Sequence, residues 1–417
     1  MDKIIIEGGR PLSGSVRVSG SKNAALPLMA ASILAPLTLE NMPDLRDLAT
    51  MGRLLAHMGG RVDRDNERMK LDLSGLNRPE ATYQLVKTMR ASALVLGPLL
   101  TRHGRARVSL PGGCAIGRRP IDRHLKALEA MGAVINLSGG YVEARAPAGG
   151  LRGAEIHFDD ITVTGTENLM LAAVLAQGRT TITGAAREPE VTDTARALLA
   201  MGARISGLET DQLIIDGVNQ LEPATHQVMP DRIEAGTLIV AGAMAGGRIT
   251  IQGPPHAALA SVYEKLREAG VGLTQSGDEL MVEAEAAVRS TDMTTRPYPG
   301  FPTDMQAQFM ALMTIGDGVA LIHETIFENR FMHVSELGRL GAEITLEGHT
   351  AVVKGVPRLS GAPMMATDLR ASASLILAAL AARGRSEISR VYHLDRGYDR
   401  LDEKLAALGA DIRRTPE

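Results

Sequence analysis

The chain has one cysteine, no tryptophan and only 3% aromatic residues among its 417. A single cysteine excludes an internal disulfide and suits a reducing compartment. Scarce aromatic rings argue against a base-stacking nucleic-acid surface, and a net charge of −3 gives no electrostatic reason for a nucleic-acid or membrane partner. The longest apolar runs, such as Ala91 to Leu100, are too short to span a bilayer. Met1-Asp2-Lys3-Ile4 reads as the start of a strand, not as a signal peptide. Gly20-Ser21-Lys22 lacks the Gly-Lys-Ser/Thr order of a phosphate-binding loop, and no Gly-x-Gly-x-x-Gly follows a strand. None of the ten histidines has zinc-ligand spacing, and acidic calcium loops are missing. The expectation is a cytoplasmic protein with no membrane or nucleic-acid partner, no metal and no cofactor.

What is present is repetition. Six times the chain runs through an apolar helix, a short turn, a β-branched strand, a loop and an amphipathic helix closing on glycine. The closing phrases align: Leu54 to Gly59, Leu128 to Gly132, Leu199 to Gly202, Leu266 to Gly270, Leu340-Gly341 and Leu408-Gly409. The period is roughly 70 residues, longer than the common solenoid repeats. The apolar helices (Ala24 to Leu34, Ala91 to Leu100, Leu169 to Ala176, Leu238 to Ala245, Phe309 to Ile315, Leu375 to Ala381) have no polar face and must be buried. The following strands alternate, as in Thr180 to Thr183, which leaves one sheet face wet. Three units closing around shared buried helices make one lobe, and six make two. The domains expected are residues 22–229, and 1–21 with 230–417. Ile4-Ile5-Ile6 and Val16-Arg17-Val18 read as a hairpin joining the second lobe beside Asp411-Ile412-Arg413.

The residues taken to open the buried helices are Lys22-Asn23, Arg90, Glu167-Asn168, Arg232, Asp304 and Arg370, four of them bearing a cation. A cation at a helix N-terminus is locally unfavourable by ~0.3–1 kcal/mol. Any one of them is explained by a neighbouring acid, as in Asp231-Arg232 or Asp368-Leu369-Arg370. Four at equivalent positions point to an anion held at those helix ends.

Three loops break the repeat. Pro111 to Pro120 carries the lone cysteine, Cys114, among glycines, prolines and Arg118-Arg119. Nearby arginines lower a thiol pKa, so the group suits a nucleophile or general acid; the plain alternative is an inert buried cysteine. Tyr298 to Gln306 sets Asp304 at a helix start, where a carboxylate is ordinarily just a favourable charge. Among so many cations it is also the natural proton acceptor. Leu394 to Arg400 places Arg396 where the second unit has Cys114, and Asp395 or Asp399 offers it an ordinary partner.

Together Ser19 to Ala25, Pro111 to Gly117, Arg119-Pro120, Phe301 to Gln306, Phe327 to Phe331 and Asp395 to Gly397 resemble, nearly end to end, the enolpyruvyl transferases, and within them the branch acting on UDP-N-acetylglucosamine. The resemblance implies a two-domain inverted α/β barrel of six repeats, three per domain, with buried parallel helices, outer sheets and outer helices. It implies transfer of the enolpyruvyl group of phosphoenolpyruvate to the 3′-hydroxyl of UDP-N-acetylglucosamine, as a monomer, in the first committed step of peptidoglycan synthesis. By the same resemblance Cys114 protonates the methylene carbon and is the thiol fosfomycin alkylates, and Asp304 accepts the hydroxyl proton. Lys22, Asn23, Arg119 and Arg396 hold phosphoenolpyruvate, with Arg330 and Arg370 as further anion contacts. Arg90, Arg119, Pro120, Ile121, Asp122, Arg123, Asp304 and Ile326 contact the nucleotide sugar. One departure is Asp159-Asp160, acids where some relatives place a lysine near the diphosphate.

Three other readings compete. The sister reaction on shikimate 3-phosphate uses the same fold but has no use for the cysteine loop. An RNA 3′-phosphate cyclase-like enzyme would carry a nucleotidylated histidine in a matching motif, which is not found. A non-catalytic scaffold gives no reason for the aligned cations.

Overall fold

The computed structural model describes residues 2–87, 89–110, 121–284, 287–327 and 329–416, with Arg90 through its backbone only. These fall into two compact units, one of residues 2–19 and 230–416, the other of 20–110 and 121–229. In the unit of residues 20–229 the buried helices are α1 (Lys22–Ala31), α2 (Leu96–His103) and α3 (Val163–Ala173). In the other they are α4 (Arg232–Ala245), α5 (Gln306–Met313) and α6 (Leu369–Ala381). Every residue of α4 from Arg232 to Met244 is buried, as its apolar run from Leu238 onward requires, and its first turns take Arg232, Glu234 and Thr237 inside with them. Each unit has its own apolar core around its three helices.

The start of α2 is a 3-10 turn, Arg90–Val95, before regular helix begins. Glu167 and Asn168 do not open α3, contrary to the sequence reading. Thr162 caps it, its hydroxyl accepting the Gly165 N–H, and the two polar residues lie a turn further in. Local capping chemistry outweighed the polar pair that caught the eye. Asp231 and Asp368, which offered themselves as ion-pair partners of Arg232 and Arg370, are N-caps as well. Asp231 accepts the N–H groups of Ile233 and Glu234, and Asp368 those of Arg370 and Ala371.

Each unit carries three four-stranded sheets among the described residues. A short strand leading into a core helix pairs in parallel with the strand leaving it. Glu155–His157 and Arg179–Thr183 do so around α3, and Gln212–Asp216 and Arg204–Ser206 complete that sheet antiparallel. Two sheets are completed from a distance. Ala224–Gln227 precedes α4 yet pairs with Leu37–Glu40 after α1, and Leu12–Arg17 precedes α1 yet pairs with Gly247–Gln252 after α4. The supposed hairpin is therefore not one. Asp2–Gly8 lies between Gly384–Ser389 and Asp411–Pro416, in a different sheet from Leu12–Arg17. Each segment fills an open position in its sheet, a stronger demand than pairing with its neighbour across a short turn.

The six closing glycines do what the sequence asks of them. Gly59, Gly132, Gly202, Gly270, Gly341 and Gly409 have φ between 86° and 103°. The N–H of the residue after each reaches back to a carbonyl in the last turn, as Ala203 to Leu198 at 2.9 Å and Ala410 to Leu405 at 3.0 Å. This is the Schellman closure, which needs a residue at ease with positive φ. No helix of the described residues is long and apolar enough to cross a membrane.

Candidate active site

In the unit of residues 230–416 the sequence places Asp304 in a single 3-10 turn, Thr303–Met305, ahead of α5. Pro302 fixes the extended approach to that turn and Met305, fully buried, anchors it. Two arginines converge on the carboxylate. Arg330 Nη2 donates to Oδ1 at 2.6 Å, and Arg370 Nη2, from the first turn of α6, donates to Oδ2 at 3.1 Å. The Arg330 and Arg370 side chains are 5% and 3% exposed, whereas the Asp304 side chain is 24% exposed. Two buried cations thus present one carboxylate toward solvent. Charge-assisted pairs of this kind give direction as well as energy.

Behind this clasp lie two polar supports. Thr303 accepts Arg330 Nη1 at 2.9 Å and donates to Glu324 Oε2 at 2.8 Å. Glu324 Oε1 in turn accepts the Thr295 hydroxyl at 2.8 Å and the N–H groups of Ile326 and Phe327 at 2.8 and 3.2 Å. The second support joins the core helices. Gln308 Nε2 donates to the Asp304 carbonyl at 2.9 Å and lies 3.0 Å from the Tyr398 hydroxyl, which is 3.0 Å from Thr237. Because Thr237 gives its own proton to the Ile233 carbonyl at 2.7 Å, the Tyr398 hydroxyl donates to Thr237. The Arg370 guanidinium also lies over the Tyr398 ring, 5.1 Å from its centroid.

Arg396 ends a 3-10 turn, Val391–Arg396, and is half-buried. Its neighbour Asp395 is gripped on both oxygens by Arg414, at 2.8 and 3.1 Å. His393 beside it is held below its ordinary pKa, by burial first and then by Arg396. Ile326 is half-buried, its N–H on Glu324. Arg232 lies 5.9 Å from the Tyr298 ring centroid.

In the unit of residues 20–229, Lys22 is the first residue of α1 and Asn23 the second. Lys22 Nζ lies 3.1 Å from Asp47 Oδ2, on the outer helix Arg46–His57. Ile121 and Asp122 begin the helix Asp122–Ala130. Arg123, one residue on, is paired with Asp160, one of the two acids noted as a departure. His124 accepts from Asn168 at 3.0 Å on Nδ1, and burial, then Arg123, lowers its pKa to about 4, so it is neutral. Glu167, on the buried face of α3, is held well above the ordinary carboxylate range by burial, then by Glu190 and Glu188. Cys114, Arg119 and Pro120 lie outside the described residues, as does the Arg90 side chain. Among the described residues no group of His, Cys, Asp and Glu could hold a metal ion.

The structure thus brings together Asp304, Arg330 and Arg370. Sequence reasoning missed Thr303, Glu324, Gln308, Tyr398 and Asp47. Two of them left a signal: Thr303 and Tyr398 sit in loops that already drew attention, and Tyr398 is one of only six tyrosines.

A profile of the EPSP synthase (3-phosphoshikimate 1-carboxyvinyltransferase) family matches residues 6–405. The chain belongs to this family. Within the family, it is 58% identical over 419 residues to the UDP-N-acetylglucosamine 1-carboxyvinyltransferase of Geotalea daltonii, covering 100% of both chains. The enzyme of that name from Anaeromyxobacter dehalogenans is 59% identical, with 99% of each covered. Among solved structures, the enolpyruvyl transferase NikO from Streptomyces tendae is 30% identical with a TM-score of 0.90, covering 99% of each chain. An EPSP synthase from Acinetobacter baumannii, 18% identical with a TM-score of 0.77 over 100% of each chain, shares the fold.

Proposed function

We propose that this chain transfers the enolpyruvyl group of phosphoenolpyruvate to the 3′-hydroxyl of UDP-N-acetylglucosamine and releases phosphate. One observation carries the choice of acceptor: identity of 58–59% from end to end with enzymes named for that sugar nucleotide. The EPSP synthase likeness, at 18%, reaches only the fold.

In the addition step the sugar hydroxyl gives its proton to Asp304 while its oxygen bonds to C2 of phosphoenolpyruvate. Cys114 delivers a proton to the methylene carbon. In the elimination step the C2–O bond to phosphate breaks, the methyl carbon returns a proton to the Cys114 thiolate, and phosphate departs with the vinyl ether formed. Asp304 suits its part because two buried guanidinium groups fix its direction while leaving it partly exposed. The same arginines are anion contacts, and phosphoenolpyruvate brings a carboxylate and a phosphate for which Arg geometry is apt. Lys22, Asn23, Arg119 and Arg396 are assigned to phosphoenolpyruvate. Arg90, Arg119 through Arg123 and Ile326 are assigned to the nucleotide sugar. Arg123, already paired with Asp160, supplies a cation where Asp160 itself would repel a diphosphate. The two units are proposed as the two three-repeat domains of an inverted α/β barrel, working as a monomer in the cytoplasm for peptidoglycan synthesis.

The test is phosphate liberation from phosphoenolpyruvate in the presence of UDP-N-acetylglucosamine, abolished by fosfomycin and by Cys114→Ala. Release with shikimate 3-phosphate instead overturns the reading.

A further inference from the structure

We propose that Glu324 is a positioning residue that aims Asp304 through Thr303 and Arg330; the inference deepens the activity proposed above and rests on it. Glu324 is 1% exposed, yet among the described residues it makes no ion pair. Its carboxylate is satisfied entirely by neutral donors: the hydroxyls of Thr295 and Thr303 and the backbone of Ile326 and Phe327. A buried carboxylate answered only by neutral donors is expensive to keep unless its shape is used.

The use is visible in where the protons go. Thr303 has one hydroxyl proton and sends it to Glu324 Oε2, so its lone pairs face Arg330 Nη1. With Nη1 held there, the planar guanidinium must direct Nη2 at Asp304 Oδ1. The other carboxylate oxygen secures the segment carrying Ile326, assigned to the nucleotide sugar. One buried side chain therefore sets both the proton acceptor and a substrate-facing loop, through different oxygens.

That division makes the role separable. In Glu324→Gln the amide oxygen must stay at the Oε1 position, since an NH₂ there would face two backbone N–H groups and a hydroxyl. The NH₂ then falls at Oε2 and donates to Thr303, so the Thr303 proton loses its acceptor and the hydroxyl is no longer fixed with a lone pair toward Arg330. The loop keeps its acceptor; the clasp loses its aim. The expected result is kcat lowered about five- to tenfold with KM for UDP-N-acetylglucosamine within about twofold of wild type. Thr303→Val should match it, Thr303→Ser should restore most of the rate, and the double variant should fall no further than either alone. Restricted rotation of the Arg330 guanidinium, read by ¹⁵N NMR, should be lost in Glu324→Gln without phosphoenolpyruvate or sugar present. Unchanged kcat and unchanged guanidinium rotation in folded Glu324→Gln overturn the proposal, as does a rise in KM alone. Absence of sugar-dependent phosphate release from the wild type would instead defeat the assigned activity, and the NMR arm would still decide the role of Glu324.

Discussion

Lys22 and Arg370 stand in the first turns of buried helices in different units, and each meets a carboxylate at 3.1 Å. The likeness stops there. Lys22 offers a compact charge on a flexible stem to Asp47 of an outer helix. Arg370 is a planar group stacked on Tyr398, and it shares Asp304 with a second arginine braced by Thr303. A point charge can swing to an arriving anion, while a braced fork holds one direction. The same scaffold thus builds a lysine–aspartate pair in one unit and a doubly clasped carboxylate in the other. Their cores differ too: the first unit encloses the acids Glu167 and Glu190, while the second encloses the arginines Arg232, Arg330 and Arg370 together with acids such as Glu234 and Glu324.

The comparison breaks most easily at the two carboxylates. Asp304→Asn is expected to lower kcat by ~10²–10⁴, the usual worth of a general base. Asp47→Asn should leave kcat within about tenfold, because it changes a partner of Lys22 and leaves the lysine's charge in place. Steady-state kinetics on both variants would show it; equal losses would erase the distinction between the two settings.

A smaller effect probes the cores by pH. Glu167 has a folded pKa raised from 4.5 by burial, so its contribution to stability is present below that value and is lost as pH rises toward the folded one. Glu167→Gln removes that loss. Melting curves at pH 5 and pH 8 should show the variant gaining at least about 2 °C on the wild type at the higher pH; a constant gap would mean the acid is not held protonated. In the other direction, His124 in one unit and His333 in the other are both lowered by burial, to about 4. Their contribution is lost as pH falls from 6.5 toward 4, so acid weakening belongs to both units; burial also raises Glu234 in the second unit, so alkaline weakening is shared as well.

The smallest expected effect tests sameness. Gly202→Ala and Gly409→Ala meet no atom within 4 Å, so only positive φ opposes them. Each should cost about 1 kcal/mol. Denaturant midpoints that differ widely would mean the equivalent turns are not equivalent in energy.

Those glycines also mark what could be read from the sequence. A residue whose backbone sets its own requirement is visible locally, and so is an apolar helix without a polar face. The clasp was half legible. Asp304, Arg330 and Arg370 stood out singly as residue types, but the contacts join positions 26 and 66 residues apart. Glu324 and Gln308 stayed hidden because each looks like an ordinary loop or helix residue until packing decides which donor meets which acceptor. The mistaken hairpin has the opposite cause. Two alternating strands beside a glycine turn do resemble one, and only the open positions in two distant sheets show otherwise.

Those positions bear on how the protein is made. The strand Asp2–Gly8 is synthesised well before one of its neighbours, Asp411–Pro416, and the whole unit of residues 20–229 is made in between. Ile4 and Ile6, wholly enclosed in the finished molecule, must therefore wait unpaired while that unit is made. Residues 20–229 meanwhile contain every strand of their own three sheets and can close early. Nascent chains stalled near residue 230 should accordingly display a protease-resistant body trailing a sticky, unmatched leader, the segment on which a chaperone would be expected to settle.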